Sequence, residues 1–200
     1  LDGTLTDTLE DLHLSVNYAL RSCGLPERSL DEVRRFVGNG VRQLIERAVP
    51  EGTEPPVVAK CFDTFHSYYI IHCQDHTTLY PGIATLLMAL HTKGYRMAVV
   101  SNKIQDGVTE LAQSYFRGVI DVAIGEQPGI PRKPEPDMVY NALAQLGVDA
   151  SEAIYVGDSD VDLQTAVNAG LPCISVLWGF RSRNFLVAQG ATMLAETPQD

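Results

Sequence analysis

A few short stretches of the chain carry side chains able to do chemistry. Asp2 stands ahead of Gly-Thr in LDGT, Ser101-Asn102 closes the apolar run MAVV, Lys133 lies in RKPEP, and Asp158 and Asp162 sit in GDSDVD. Aspartates of this kind suit proton transfer and the binding of a hard cation, and a positioned lysine suits an anion. Alone, each has an ordinary explanation. Strand exits often carry polar residues, Ser101 can cap a strand, Asp158 can start a helix, and a lysine in a loop can be solvated. Pro131, Pro134 and Pro136 restrict the backbone around Lys133, which favours a placed lysine over a solvated one. Together the stretches define a site if they converge, and ligands of open parallel sheets bind beyond the carboxyl ends of the strands.

Convergence requires strands that end at these residues and helices that follow. From Tyr80 onward, PGIATLLMALHTKG predicts a helix, YRMAVVSN a buried strand, Gln105 to Tyr115 a helix and DVAIG a strand. Pro136 to Leu146 predicts a helix, AIYVGD a strand, Asp160 to Ala169 a helix and PCISVLW a strand. Short apolar strands separated by helices predict an α/β fold with a Rossmann-like parallel sheet covered on both faces. From about Leu9 to Thr78 the pattern is helical instead. Leu9, Leu12, Val16, Ala19 and Leu20 share one helical face, and Gly24 supplies the stop. Asp7 with Glu10 fits a capped start. Ser29 with Glu32 fits a capping box opening a second helix that ends at Gly38-Asn39-Gly40. A third helix is expected from Val41 to Val49 and a fourth from roughly Pro56 to Cys73. The expected organisation is an α/β core from residues 1-8 and 79-200 with an inserted four-helix domain over 9-78.

Composition narrows the partners. With 200 residues and 45% hydrophobic content the chain can bury a sizeable core. A formal net charge of -10 argues against nucleic acid or an anionic membrane surface, both of which recruit Lys/Arg patches. A small substrate neutralised by a metal is compatible with it. No apolar run approaches the roughly 20 residues of a membrane span and no signal peptide is visible, so the sequence reads as soluble and cytoplasmic. Cys23, Cys61, Cys73 and Cys173 lie far apart without a C-x-x-C pair, which fits reduced thiols better than a disulfide scaffold or zinc knuckle. His72, Cys73, Asp75 and His76 end an amphipathic segment and lack a second ligand pair, so zinc is not expected there.

In their order, LDGT, Ser101-Asn102, Lys133 and Asp158 with Asp162 give the chain a resemblance over nearly its whole length to the haloacid dehalogenase (HAD) superfamily phosphatases with a helical cap. It is most similar to the phosphoglycolate phosphatase-like group. The resemblance implies a HAD-like hydrolase core at 1-8 and 79-200, a cap at 9-78, and a Mg2+-dependent phosphatase acting on a small phosphorylated metabolite, phosphoglycolate favoured, through an aspartyl-phosphate. The family pattern begins Asp-x-Asp-Gly-Thr. The nucleophilic aspartate is therefore expected immediately before Leu1, at the end of a short apolar strand, where it and Asp2 would face one site. A phosphate dianion repels a carboxylate nucleophile, which is why a divalent cation is needed.

The same resemblance implies roles for individual residues. Asp2 protonates the leaving oxygen and later activates water, and Lys133 is the second catalytic residue. Ser101, Asn102 and Lys133 bind the phosphoryl group. The metal falls to the preceding aspartate, the Asp2 carbonyl and Asp158, with Asp162 supporting the shell. Asn39 and Arg42 are candidates for holding a substrate carboxylate from the cap, the alternative being a helix connector with a solvated arginine. Arg181 in WGFRSR is either a second basic contact or structural. Asp160 is expected to serve its helix dipole and Arg132 to face solvent. The oligomer is expected to be a monomer or homodimer. A phosphosugar mutase of the same superfamily is the alternative enzyme, but it relies on a helix-borne histidine, and His13 falls one residue past the offset, about 100° around the helix. A dehalogenase has no use for the Asp2 acid/base. A non-catalytic HAD-fold binding protein has no chemical need for Asp2, Lys133, Asp158 and Asp162.

Overall fold

The computed structural model describes residues 1–200. The chain forms two compact units, Leu1–Thr6 with Leu79–Asp200, and Asp7–Thr78. It passes from one to the other within Thr6–Asp7 (β1) and returns within Thr78–Leu79 (β2), and these two-residue segments pair as a ribbon. No sequence pattern marks so short a pairing. No helix is long and apolar enough to cross a membrane.

The helical unit holds Leu9–Ser22 (α1), Leu30–Phe36 (α2), Val41–Ala48 (α3) and Pro55–His72 (α4). The apolar face read from the sequence is the buried one in α1, with Leu9, Leu12, Val16, Ala19 and Leu20 in the core. Asp7 is not the N-cap. It belongs to the ribbon, so the helix starts two residues later, behind Thr8, while Asp7 Oδ1 still accepts the Leu9 N–H at 3.2 Å. The α2 capping box forms as expected, with Ser29 Oγ accepting from Glu32 N and Glu32 Oε2 accepting from Ser29 N. α4 begins at Pro55, where a proline in the first helical turn has no N–H to lose. Phe65 and Cys61 of α4 are fully buried in this unit.

The α/β unit continues through Ile83–Thr92 (α5), Ala98–Ile104 (β3), Gln105–Tyr115 (α6), Val122–Glu126 (β4), Asp137–Leu146 (α7), a 3-10 turn at Ala150–Glu152, Tyr155–Gly157 (β5), Asp160–Ala169 (α8) and Cys173–Val176 (β6). Arg183–Ala188 (α9) and Met193–Ala195 (β7) close it, and neither was expected from the sequence. β3 and β4 pair in parallel, and β5, β6 and β7 form a second parallel sheet in that order. One continuous sheet was expected. The strand expected ahead of Leu1 lies outside the described residues. Val100 of β3 nonetheless packs on the cluster of Val139, Ala166, Ala169, Leu171 and Cys173, beside Tyr155 of β5. Leu1 and Leu5 pack against Ile83, Leu87 and Phe116, which anchors the start of the chain in this core.

Candidate active site

A strand's period-two alternation decides what β3 offers at its carboxyl end. Val99, Ser101 and Lys103 are buried on one face and Asn102 points to the other. Ser101 Oγ accepts the Lys103 N–H at 3.2 Å, leaving its proton for another acceptor. Asn102 grips the backbone of Lys133: its Oδ1 accepts Lys133 N–H at 2.9 Å and its Nδ2 donates to Lys133 O at 3.0 Å. The strand end thereby fixes the RKPEP loop, and the Asn102 carboxamide is engaged in doing so.

Lys133 is almost fully buried. Its Nζ donates to Asp162 Oδ1 at 2.7 Å and to the Tyr155 hydroxyl at 3.2 Å. Burial alone would push the ammonium down, but the Asp162 carboxylate and Tyr155 outweigh it and raise its pKa. Asp162 shows the complementary balance: burial pushes its carboxyl up, the Lys133 ammonium and the Ser159 hydroxyl pull it down, and it settles below the usual carboxylate range. Its second oxygen accepts from Ser159 Oγ at 2.6 Å and from Asp158 N at 3.3 Å. Ser159 in turn caps α8 by accepting the Asp162 N–H. Both Asp162 oxygens are thus occupied by the protein.

Asp158 is held differently. It leaves β5 fully buried, with Oδ1 accepting from Thr4 Oγ1 at 2.8 Å and Oδ2 from Phe180 N at 3.0 Å. Burial first, and the Asp162 charge second, push its carboxyl up to about 6. Backbone approaches it on two sides. Gly3, at φ 78°, has room for no side chain, since a Cβ would fall 2.3 Å from Asp158 Oδ2. A Cβ on Gly179 would meet both Asp158 Cβ and the Gly3 carbonyl at 2.3 Å. Trp178 Nε1 donates to Thr4 O at 3.0 Å and locks the first turn against this loop. Asp2 Oδ1 is buried and accepts no hydrogen bond.

This donor set fits a hard divalent cation held mainly by oxygen atoms. A buried carboxylate with a raised pKa and an adjoining turn of backbone is a place where positive charge is stabilised, and magnesium completes its shell with water and phosphate. No group of three or more His, Cys, Asp or Glu side chains is arranged to hold a metal, and both Asp162 oxygens are engaged by Lys133, Ser159 and the Asp158 N–H.

The other expected residues have contacts of their own. Asn39 adopts φ 56° and its Oδ1 accepts from Arg47 at 3.0 Å, while the Arg42 guanidinium lies 4.3 Å over the Phe62 ring, both within the helical unit. His13 Nε2 lies 3.0 Å from Arg28 O and 2.9 Å from Asn17 Nδ2, a packed position. Arg181 Nε donates to Asp160 Oδ1 at 3.1 Å, so each answers the other's charge. Arg132 lies 3.5 Å from Glu126. The sequence reading passed over Thr4, Lys103, Tyr155 and the Gly179–Phe180 backbone. Lys103 was findable, because it stands two residues from Ser101 on the same strand.

The model of the haloacid dehalogenase-like hydrolase family matches residues 1–176. The chain belongs to that family. A phosphoglycolate phosphatase of Aquifex aeolicus is 32% identical over 185 residues, covering 92% of this chain and 85% of that protein. The phosphoglycolate phosphatase of Rhodobacter capsulatus is 34% identical over 185 residues, 90% of this chain and 83% of its own. Within the family the chain is phosphoglycolate phosphatase-like, an enzyme of the phosphomonoesterase kind. A crystal structure from Lactobacillus delbrueckii subsp. bulgaricus, provisionally named a phosphoglycolate phosphatase, superposes with a TM-score of 0.93 at 36% identity, covering 99% of this chain and 92% of that one. CbbY of Rhodobacter sphaeroides, solved in complex with phosphate, matches with a TM-score of 0.78 at 25% identity over 100% of this chain and 92% of its own.

Proposed function

We propose that the protein is a Mg2+-dependent phosphatase of small phosphomonoesters, phosphoglycolate favoured, working through an aspartyl-phosphate on an aspartate directly before Leu1. One observation carries the reading. A single chain of hydrogen bonds runs from Thr4 through Asp158 and Asp162 to Lys133 and Asn102, joining the start of the chain to the ends of β3 and β5. The names of the relatives and the phosphate held by CbbY support the substrate class.

In this reading the α/β unit is the hydrolase core and the helical unit is the cap. Ser101 donates its hydroxyl to the transferring phosphoryl group and Lys133 offsets its charge, with Asn102 and Asp162 fixing where that ammonium stands. Asp2 protonates the leaving oxygen, then takes a proton from the water that hydrolyses the phosphoenzyme. Asp158 and the Asp2 carbonyl would hold the metal, and Asp162 orients Asp158 through its backbone. The bound Mg2+ supplies neutralisation of the phosphate dianion so that a carboxylate can approach it. Asn39 and Arg42 hold the substrate carboxylate from the cap, Arg42 braced by Phe62. Nothing about His13 favours the mutase, since its ring is occupied by Arg28 O and Asn17.

The test is a phosphomonoester panel with the full chain and Mg2+. Phosphoglycolate is expected to be hydrolysed with the highest kcat/KM, and a full chain that turns over no panel member would leave only the fold. Intact mass and peptide mapping of the full chain test the nucleophile: a residue other than aspartate before Leu1 removes the aspartyl-phosphate.

A further inference from the structure

We propose that Lys103 positions the Asp2 carboxylate for its proton transfers, a role that rests on the acid/base reading of Asp2. The Lys103 side chain is 4% exposed and its Nζ lies 3.9 Å from Asp2 Oδ1. That oxygen is buried and accepts no hydrogen bond, so this ammonium is a cation within ion-pair reach of it. Burying a lysine is costly unless its charge is answered, and the β3 alternation commits Lys103 to the buried face that also carries Ser101. The space for it is provided across α6: a Cβ on Gly107 would fall 2.9 Å from Lys103 Cε. A carboxylate that must hand a proton to a substrate oxygen has to be held in one orientation, yet not by a short hydrogen bond competing for the atom that does the work. A fixed positive charge at 3.9 Å meets both requirements.

The role predicts a leaving-group signature. The ratio kcat/KM reports the steps through phosphoenzyme formation, in which Asp2 protonates the departing oxygen. An alkyl ester such as phosphoglycolate needs that proton, whereas p-nitrophenyl phosphate releases a stable phenolate without it. In the full chain with saturating Mg2+, Lys103→Met is expected to lower kcat/KM for the alkyl ester by about 10- to 100-fold, the scale of a misplaced catalytic group. The aryl ester should fall far less, and Lys103→Arg should recover most of the loss. Lys103→Met should add little in an Asp2→Asn background. Gly107→Ala, which crowds the lysine stem with the charge retained, should show the same pattern more weakly and serves if Lys103→Met does not fold. Equal losses on both esters, or losses additive with Asp2→Asn, would overturn the positioning role and make Lys103 a phosphate or structural contact. If Asp2→Asn discriminates between the esters and Lys103→Met does not, the Lys103 role is wrong and the Asp2 reading stands. If Asp2→Asn itself does not discriminate, both are wrong.

Discussion

Asp11 in the helical unit and Asp158 in the α/β unit are each 2% exposed, and their surroundings treat the buried carboxylate in opposite ways. Asp11 Oδ1 and Oδ2 accept from His76 N, Thr77 N, Thr77 Oγ1 and the His76 ring, the last a partner that can also bring positive charge. Asp158 accepts from one hydroxyl and one N–H, and a second carboxylate stands four residues away on the first turn of α8. The first arrangement saturates the charge and ties together stretches 65 and 66 residues apart. The second leaves it under-compensated and pushes the Asp158 carboxyl up to about 6. A buried acid that stabilises a fold is given donors. In the proposed function Asp158 is left short of donors so that a cation can complete its charge balance.

The contrast is broken most severely at Asp158. Asp158→Asn should lower kcat/KM by about 10³-fold, the equivalent of several kcal/mol of metal-borne stabilisation. The metal-free protein should melt no earlier, because a group whose folded pKa is raised is already disfavoured as an anion. An early melt together with near-normal turnover would invert the assignment. Asp11→Ala should do the reverse. It strands the His76 and Thr77 donors and should cost about 3 kcal/mol in urea unfolding, at 1 to 3 kcal/mol for each unsatisfied group after partial rehydration. Turnover per folded molecule should stay within about twofold.

Smaller effects sharpen the comparison. Arg42→Ala is expected to raise KM about tenfold for a carboxylated phosphoester and hardly at all for a neutral one, since only the former offers a partner to the guanidinium. Equal KM values for both would return Arg42 to its place over Phe62 alone. The smallest effect concerns His76, whose imidazole is raised above its ordinary 6.5 by the hydrogen bond its ring donates to Asp11. A raised folded pKa contributes stability that is complete below 6.5 and lost as pH rises through the folded midpoint. NMR titration should therefore find His76 above that value and Asp11→Asn should bring it down. The difference in urea midpoint between wild type and His76→Gln should shrink from pH 5.5 to pH 8.

The helices of the helical unit and the strands and helices from α5 to β6 were legible because their apolar periods, 2 and 3.6, are set locally, whereas the short α9 and β7 carry too little pattern to be read. Asp2, Ser101 and Asp158 could be singled out as polar residues closing apolar runs, whereas Lys133 and Asp162 were singled out through the family resemblance. What escaped depended on partners distant in sequence. The β1–β2 ribbon has no pattern of its own. Tyr155 reads as an ordinary strand residue until its hydroxyl is found on Lys133 and Asp162. Asn102 reads as a phosphate donor, and only the fold shows its carboxamide gripping the Lys133 backbone. Phe180 enters through its N–H, which no side-chain pattern reveals.

The most direct test of the central claim is phosphate release from phosphoglycolate by the full chain, first in Mg2+, then in excess chelator, then with Mg2+ restored. The under-compensated Asp158 site predicts turnover that collapses by about 10³-fold on chelation and returns with the metal, while the fold and its melting cooperativity persist throughout. Turnover that survives chelation unchanged would contradict the account, because Asp158 would then be a buried acid with no cation to serve.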